Sequence, residues 1–217
     1  MSKILENGFY NIKEKDITIK ENNYVSIFIS EFDSDVVIDL KDNSKLDLYM
    51  FFLDKSPKNI IINQLNNNSK LNLKAIFLNK DSDIISNIIS NINSVNSTSN
   101  IEIISIVKEN KISIDSSIIV NKNSRNINAS LSLENVFNGN NGSIVSNPNL
   151  YIDTNDIKVS HSSKTTRINE KNIHYLTSRG LDKDLSIKLI LDSYFKNFFK
   201  CIEMYDKNLY DDIYLKF

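Results

Sequence analysis

The sequence predicts a mainly β chain: a right-handed parallel β-helix over residues 1–169, followed by a small helical region over residues 170–217. Three observations carry this prediction. Apolar and polar residues alternate from about residue 24 to residue 160, strand-like segments recur at a coarse spacing, and helical spacing begins near residue 169. Alternation indicates half-buried strands, recurrence indicates stacked repeats, and apolar spacings of three and four indicate an amphipathic helix.

The alternating segments are rich in Ile, Val, Leu and Phe, whose branched and aromatic side chains suit a half-buried strand. Strands are predicted at YVSIFIS (24–30), DVVIDL (35–40), KLDLYMFFL (45–53), NIIINQ (59–64), KLNLKAIFL (70–78), IEIISIV (101–107), KISIDSSIIV (111–120) and NASLSLENVF (128–137). A further strand is expected to end at His161, in KVSHSSKT.

Similar strand openings recur at Ser44, Ser69, Ser99 and Ser124, at offsets of 25, 30 and 25 residues. Short strands repeated at such a period, with no helix between them, favour a solenoid, although strand spacing alone leaves an antiparallel sandwich or barrel open. With 4 Gly and 2 Pro, tight corners must use Asn, Asp and Ser, since these residues tolerate the left-handed region or close side-chain turns. We therefore expect Asn or Ser to stack at the corners.

Near residue 169 the pattern becomes helical. A short helix is expected to end at Arg179–Gly180, with Gly180 just past its carboxyl end, and Asp182 or Asp184 can cap a second helix. Apolar residues at helical spacing are Leu185, Ile187, Leu189, Ile190, Tyr194, Phe195, Phe198, Phe199 and Ile202. The pattern predicts that Leu189, Ile190 and Phe198 are buried.

Composition excludes several classes of protein. The net charge of −1, from 26 basic and 27 acidic residues, gives no electrostatic footprint for nucleic acid or an anionic membrane surface. The single cysteine, Cys201, rules out an internal disulfide framework and fits a reducing compartment. The first residues, MSKILENGFYNIKEKD, contain no signal-like apolar run, and no segment approaches the ~18 apolar residues of a membrane span. We expect a cytoplasmic protein that does not bind a membrane.

Little in the sequence suggests catalysis. No glycine-rich nucleotide motif and no HxxxH, CxxC or HxxE metal spacing occurs. Cys201 is expected to pack within a helix, and Asp211 and Asp212 to lie on a solvated face. The two histidines remain: His161 as a hydrogen-bonding residue or a metal ligand, and His174 as a packing residue beside Tyr175. Because one imidazole cannot hold a metal cluster alone, a metal role for His161 needs ligands from another chain.

One stretch resembles the carboxy-terminal part of the SufB/SufD family, the scaffolds of the Suf system for iron–sulfur cluster assembly. The resemblance is dense over residues 148–192 and looser before them. The matching residues are Pro148, Leu150, Ile152, Asp156, Ile157, Lys158, Ser160, His161, Ile168, Glu170, Ile173, Tyr175, Leu176, Ser178, Arg179 and Gly180. The form NDIKVSH is closer to SufD than to SufB.

The chain departs from the family pattern at two places. After His161 it has SSKTT in place of HEAT or HGAT, and Leu133 lies near the position of a cysteine found in SufB. The long amino-terminal helical region of many relatives is also missing, which suggests a reduced member of the family.

The resemblance implies a β-helix and a non-enzymatic, SufD-like scaffold subunit. It would pair with a SufB-type chain or with itself and bind the SufC ATPase through residues 170–217. It implies no tightly bound cofactor, and His161 as a ligand that shares a transient iron–sulfur cluster with a cysteine of the partner. The alternatives are a homodimeric docking member of the family that no longer ligates a cluster, and an unrelated carbohydrate-binding or lyase β-helix.

Overall fold

A computed structural model of the chain describes residues 2–217. Within that range the strands are β1 (Lys3–Leu5), β2 (Gly8–Asn11), β3 (Asp16–Ile19), β4 (Tyr24–Ser30), β5 (Val36–Leu40), β6 (Lys45–Leu53), β7 (Asn59–Gln64), β8 (Lys70–Asn79), β9 (Ile84–Ile92), β10 (Thr98–Val107), β11 (Lys111–Val120), β12 (Ile127–Phe137), β13 (Ser143–Ile152) and β14 (Ile157–Arg167). Odd-numbered strands form one seven-stranded sheet and even-numbered strands form another. Every strand pair is parallel, so the chain winds as a solenoid and the antiparallel alternatives are excluded.

Each of the eight segments predicted from alternation forms a strand. The sequence did not predict β9, because IISNIISNI places apolar residues side by side, nor β13, in which Pro148 is flanked by two asparagines that disfavour strands. The expected strand end at His161 is wrong, since β14 continues to Arg167. Ser162, Ser163, Lys164, Thr165 and Thr166 are polar on both faces, so this part of β14 has no period of two to detect.

The repeat register is correct for one coil and wrong for the next two. Lys45 pairs with Lys70, which agrees with the predicted alignment of Ser44 with Ser69. Ser69 aligns with Ser97, an offset of 28 residues where the repeat predicted 30. Asn100 aligns with Ser130, an offset of 30 residues where the repeat predicted 25. A slip of two residues keeps every side chain on the same face, so the alternation alone could not expose the first error.

Asparagines stack at one corner of the solenoid, as expected. Asn22, Asn43, Asn68, Asn96 and Asn126 all have φ between 51° and 58°. Each of the last four donates its amide N–H to the side-chain oxygen of the asparagine one coil before, at 2.8–3.3 Å. The side chains that make the left-handed corner possible thus also bond the coils together.

Inward-facing aliphatic side chains from both sheets fill the solenoid and form its core. The outer face of the even-numbered sheet is also apolar, and it is covered by helices: α1 (Glu170–Thr177), α2 (Lys183–Tyr205) and α3 (Lys207–Lys216). Phe199 of α2 contacts Phe28 and Phe51 edge-on, with ring centroids 6.1 and 6.2 Å apart. No helix within residues 2–217 is long and apolar enough to cross a membrane.

Two predicted helix boundaries are confirmed. Gly180, at φ +91°, donates its N–H to Thr177 O and is followed by a Leu181 N–H to Leu176 O bond, the pair that closes a helix with glycine past its end. Asp182 caps α2 by accepting from the Leu185 N–H.

The burial expected for Leu189 is wrong, because its side chain is 42% exposed, while Phe198 is buried as predicted. Ile190 is half-buried. The buried face of α2 instead runs through Leu191, Asp192, Phe195, Phe199 and Ile202. Apolar residues lie on more than one face of α2, so helical spacing alone did not fix which face meets the sheet.

Candidate functional site at the open end of the solenoid

The last coil of the solenoid, formed by β13 and β14, leaves two strand edges unpaired. Both strands lie at the edge of their sheets, and they are 10 and 11 residues long. At the opposite end, β1 and β2 have only 3 and 4 residues, and the salt bridges Lys3–Glu14 and Lys20–Glu6 surround them. Short edge strands surrounded by charge discourage pairing with another chain, whereas long edge strands leave many more backbone groups free to pair. The two ends of the solenoid therefore differ in their capacity to bind a partner.

His161 lies in the middle of β14 and on its inward-facing side. It is in register with Leu131, and beneath Leu131 the same row continues through buried residues of the preceding coils. These residues are Ile101, Leu73, Leu48 and Ile27. Since no later coil covers β14, the imidazole is exposed at the end of the apolar column. A histidine thus occupies a core position that the fold leaves open.

The His161 ring reaches across the open end to the other sheet. Its Nδ1 lies 3.1 Å from the carbonyl oxygen of Pro148 in β13. The Ser143 and Asp153 N–H groups donate to the neighbouring coil. The backbone N–H and C=O groups of odd-numbered residues in β13 therefore point to β11, and those of even-numbered residues, including Pro148, point to the free edge. Proline is tolerated there because its missing N–H faces outward.

The free edge of β14 has no such interruption. The Ile168 N–H donates to Phe137 O, so the backbone groups of even-numbered residues in β14 bond to β12. The backbone groups of odd-numbered residues point to the free edge. The unpaired backbone groups at this edge belong to Ile157, Val159, His161, Ser163, Thr165 and Arg167. This edge is a continuous row of unpaired donors and acceptors, whereas Pro148 breaks the corresponding row on β13.

The interior beside His161 is polar in the last two coils. Asn135 is only 6% exposed, and its amide nitrogen donates to Ser146 Oγ at 2.8 Å and Thr165 Oγ1 at 3.3 Å. Leu133, where the resemblance would place a cysteine, is buried and in register with Ser163. The strands β13 and β14 carry Lys158, Lys164 and Arg167 and no acidic residue. The open coil therefore presents polar side chains around one imidazole, while Lys158 and Lys164 lie on the opposite face of β14, where Lys164 pairs with Glu134.

The second histidine does not pack as expected. His174 is exposed on α1, and its neighbour Tyr175 is 58% exposed with the Arg179 guanidinium over its ring. His174 lines a groove of about 500 Å³ between α1, α2 and the end of β12, whose apolar lining includes Phe137 and Ile187. His174 lies in this groove and His161 lies at the open coil, so the two histidines belong to different surfaces.

Cys201 is half-buried on α2, against the outer face of the even-numbered sheet. Burial, together with a hydrogen bond to Cys201, raises the pKa of the Tyr49 hydroxyl. Within residues 2–217, no three His, Cys, Asp or Glu side chains lie close enough together to hold a metal ion. His161 and Cys201 occupy opposite faces of the same sheet and do not share a site.

Residues 34–194 match the SufBD core domain of the SUF system for FeS cluster assembly. That match covers most of the chain. The chain belongs to the SufBD family. No curated protein matches the chain. The matched SufBD core begins just before β5 and ends within α2, so it contains the whole open coil, His161 and α1.

Membership of the SufBD family gives the open coil a functional context, because these proteins take part in iron–sulfur cluster assembly within the Suf complex. The bond between His161 and Pro148 could not be predicted from the sequence, as it joins residues 13 positions apart on different sheets. One signal did point to the free edge: a proline inside a strand is confined to edges and bulges.

Proposed function

We propose that this chain is a SufD-like scaffold subunit of the Suf complex and not an enzyme. In this proposal the open coil pairs with a SufB-type chain or a second copy, the helices bind a SufC-type ATPase, and His161 is a ligand to a nascent iron–sulfur cluster. The observation that carries it is an exposed imidazole on a core row of an uncovered terminal coil. The cluster is cargo, assembled at the interface and passed on.

The chemistry of the open coil supports a shared site. His161 offers one neutral nitrogen ligand and no thiolate lies beside it, so a partner must supply the remaining ligands. Pairing along the free edge of β14 would bring a partner's side chains over His161, and a cytoplasmic location would keep their thiols reduced.

The cluster role is tested by His161→Ala, co-expressed with SufB-type and SufC-type partners. Because His161 is exposed, we expect the variant to fold with a melting temperature within a few degrees of wild type. Iron and acid-labile sulfide in the purified complex should fall at least tenfold. His174→Ala is the matched control, since it removes the other exposed imidazole, and it should leave both contents unchanged. Wild-type iron and sulfide in the His161 variant would refute the ligand role.

The helical surface supports ATPase binding. Tyr175, Leu185 and Leu189 are between 41% and 58% exposed, on α1 and the first half of α2. Leu185 and Leu189, four residues apart on one face of α2, form an exposed apolar patch, which we call the helix patch. Exposed apolar residues rimmed by charge are typical of a protein interface. Deleting residues 170–217 would uncover the apolar outer face of the sheet, so point substitutions are the better test.

We expect Leu189→Ser to weaken binding of the SufC-type ATPase about tenfold, a loss of roughly 1.4 kcal/mol. Its stability should change little, because Leu189 is exposed. The control is Met204→Ser, which alters a side chain 87% exposed and about 22 Å further along the same helix. Isothermal titration with the ATPase would decide: equal affinities for both variants would exclude the helix patch.

A specific observation favours the alternative function, a homodimeric docking member that does not ligate a cluster. Leu133 replaces the cysteine and is fully enclosed in the core, and Ser162–Thr166 extend β14 as a regular strand. Under this alternative, the chain alone would form dimers and bind the ATPase, and the complex would contain no iron or sulfide. The His161→Ala experiment therefore separates the two functions, because only a scaffold has a cluster to lose.

A further inference from the structure

The hydrogen bond between His161 and Pro148 determines which ring nitrogen of His161 is free. A neutral imidazole has one N–H, on either Nδ1 or Nε2, and the other nitrogen carries the lone pair. The carbonyl oxygen of Pro148, 3.1 Å from Nδ1, can only accept a hydrogen bond. We propose that Pro148 O holds His161 in the Nδ1–H tautomer, so that Nε2 presents its lone pair to a metal at the open coil.

The surroundings of the ring support this assignment. Within residues 2–217, Nε2 has no hydrogen-bond partner, and the bond to Pro148 is the one hydrogen bond that the ring makes. The Pro148 carbonyl points to the free edge of β13, where no neighbouring strand offers an N–H to compete for it. A ligating histidine is commonly fixed through its second N–H by a carbonyl or carboxylate, which sets the tautomer and increases the basicity of the ligating nitrogen.

Proline at position 148 also contributes to this role. Its fixed φ limits the motion of an edge strand that is bonded on one side only, and its missing N–H leaves no donor at the centre of that edge. A partner strand along this edge would therefore find no donor at position 148 and would lose one ladder bond there. Pro148 is thus a positioning residue: it acts on the metal ligand through its carbonyl and does not touch the cargo.

This inference rests on the proposed function, because a ligand role for Nε2 presupposes that His161 binds the cluster. The tautomer itself can be measured on the isolated full-length chain. With histidine labelled with nitrogen-15, long-range proton–nitrogen spectra recorded well above the usual His pKa of about 6.5 distinguish the two tautomers. His161→Asn assigns the signals, and exposed His174, which makes no ring hydrogen bond within residues 2–217, is an internal control.

We expect a protonated Nδ1 and an unprotonated Nε2 in His161, and the opposite Nε2–H preference of free histidine in His174. An Nε2–H tautomer in His161 would overturn the inference, whatever the complex assembles. His161→Asn keeps an amide N–H near the Nδ1 position but lacks Nε2, so it should retain the wild-type melting temperature and lose cluster assembly. Normal assembly by His161→Asn, with an Nδ1–H tautomer in wild type, would overturn the ligand role alone.

Discussion

Asparagine at the solenoid corner shows how one residue type meets two physical demands. A left-handed backbone costs most residues about 1–2 kcal/mol, and Gly and Asn are the residues that adopt it routinely. Glycine, of which the chain has 4, would satisfy the backbone but would lose the side-chain hydrogen bonds between successive corners. Asn68 accepts from Asn96 and donates to Asn43, so it links three coils.

We expect Asn68→Ala to lower the free energy of unfolding by about 2 kcal/mol, because it combines left-handed strain with the loss of two hydrogen bonds at an exposed corner. Asn68→Gly keeps the backbone relaxed and loses the bonds alone, so it should cost about 1 kcal/mol or less. Urea unfolding of both variants separates the two contributions. Equal destabilisation would mean that the left-handed corner carries no strain.

At the residue scale, conformations that depend on residue type can be predicted from the sequence, whereas contacts between residues on different strands cannot. The excess of Asn with few Gly sufficed to predict the corners, because left-handed tolerance is local. His161 was identified as a candidate from its type and its neighbours in the chain. Its position on a core row and its bond to Pro148 follow from the winding of two coils, which no local pattern encodes.

At the scale of the element, α2 is held by the sheet on one face and by α3 on another. Asp192, 4% exposed on α2, accepts a hydrogen bond from the Tyr214 hydroxyl on α3. That hydrogen bond is the larger cause, and burial the smaller, of a raised pKa of Tyr214, which is about 12. Periodicity predicted α2 as a helix but neither its buried acid nor α3, because an aspartate among apolar residues has no partner visible in sequence.

The raised pKa predicts how this contact responds to alkali. The folded pKa lies above the ordinary value of 10.0, so the stabilisation is complete below pH 10.0 and is lost as the pH rises toward about 12. Tyr214→Phe leaves buried Asp192 without its donor and should cost about 1–3 kcal/mol at neutral pH. The difference in stability between wild type and variant should shrink between pH 10.0 and about 12. A difference that stays constant across this range would show that the hydroxyl does not bond Asp192.

At the scale of the whole molecule, the two ends of the solenoid differ. The first coil has short edge strands surrounded by salt bridges, and the last coil has long edge strands. The parallel winding places every core row in register, so the last coil necessarily ends in an uncovered row and two free edges. The fold class was predictable from repeats, but which end is open was not. That asymmetry depends on strand lengths and on which residues face outward. Both follow from the strand register, which could be predicted for one pair of coils only.

The free edge of β14 gives the last prediction, which uses two neighbouring serines. The Ser163 N–H faces the free edge, whereas the Ser162 N–H belongs to the ladder with β12. Ser163→Pro should therefore fold, because edge strands tolerate proline, but it should fail to associate with a SufB-type chain or a second copy. Ser162→Pro removes an internal ladder bond and should cost about 3 kcal/mol or more.

Thermal unfolding and size exclusion with multi-angle light scattering measure the two effects on each full-length variant. Wild-type association by a folded Ser163→Pro chain would place the partner elsewhere than the β14 edge. Ser162 and Ser163 are adjacent and exposed, and their N–H groups point to opposite sides of β14, although Ser162→Pro also removes the hydroxyl bond to Ser132. The comparison thus tests whether the alternation of backbone groups along the last strand determines association through the β14 edge.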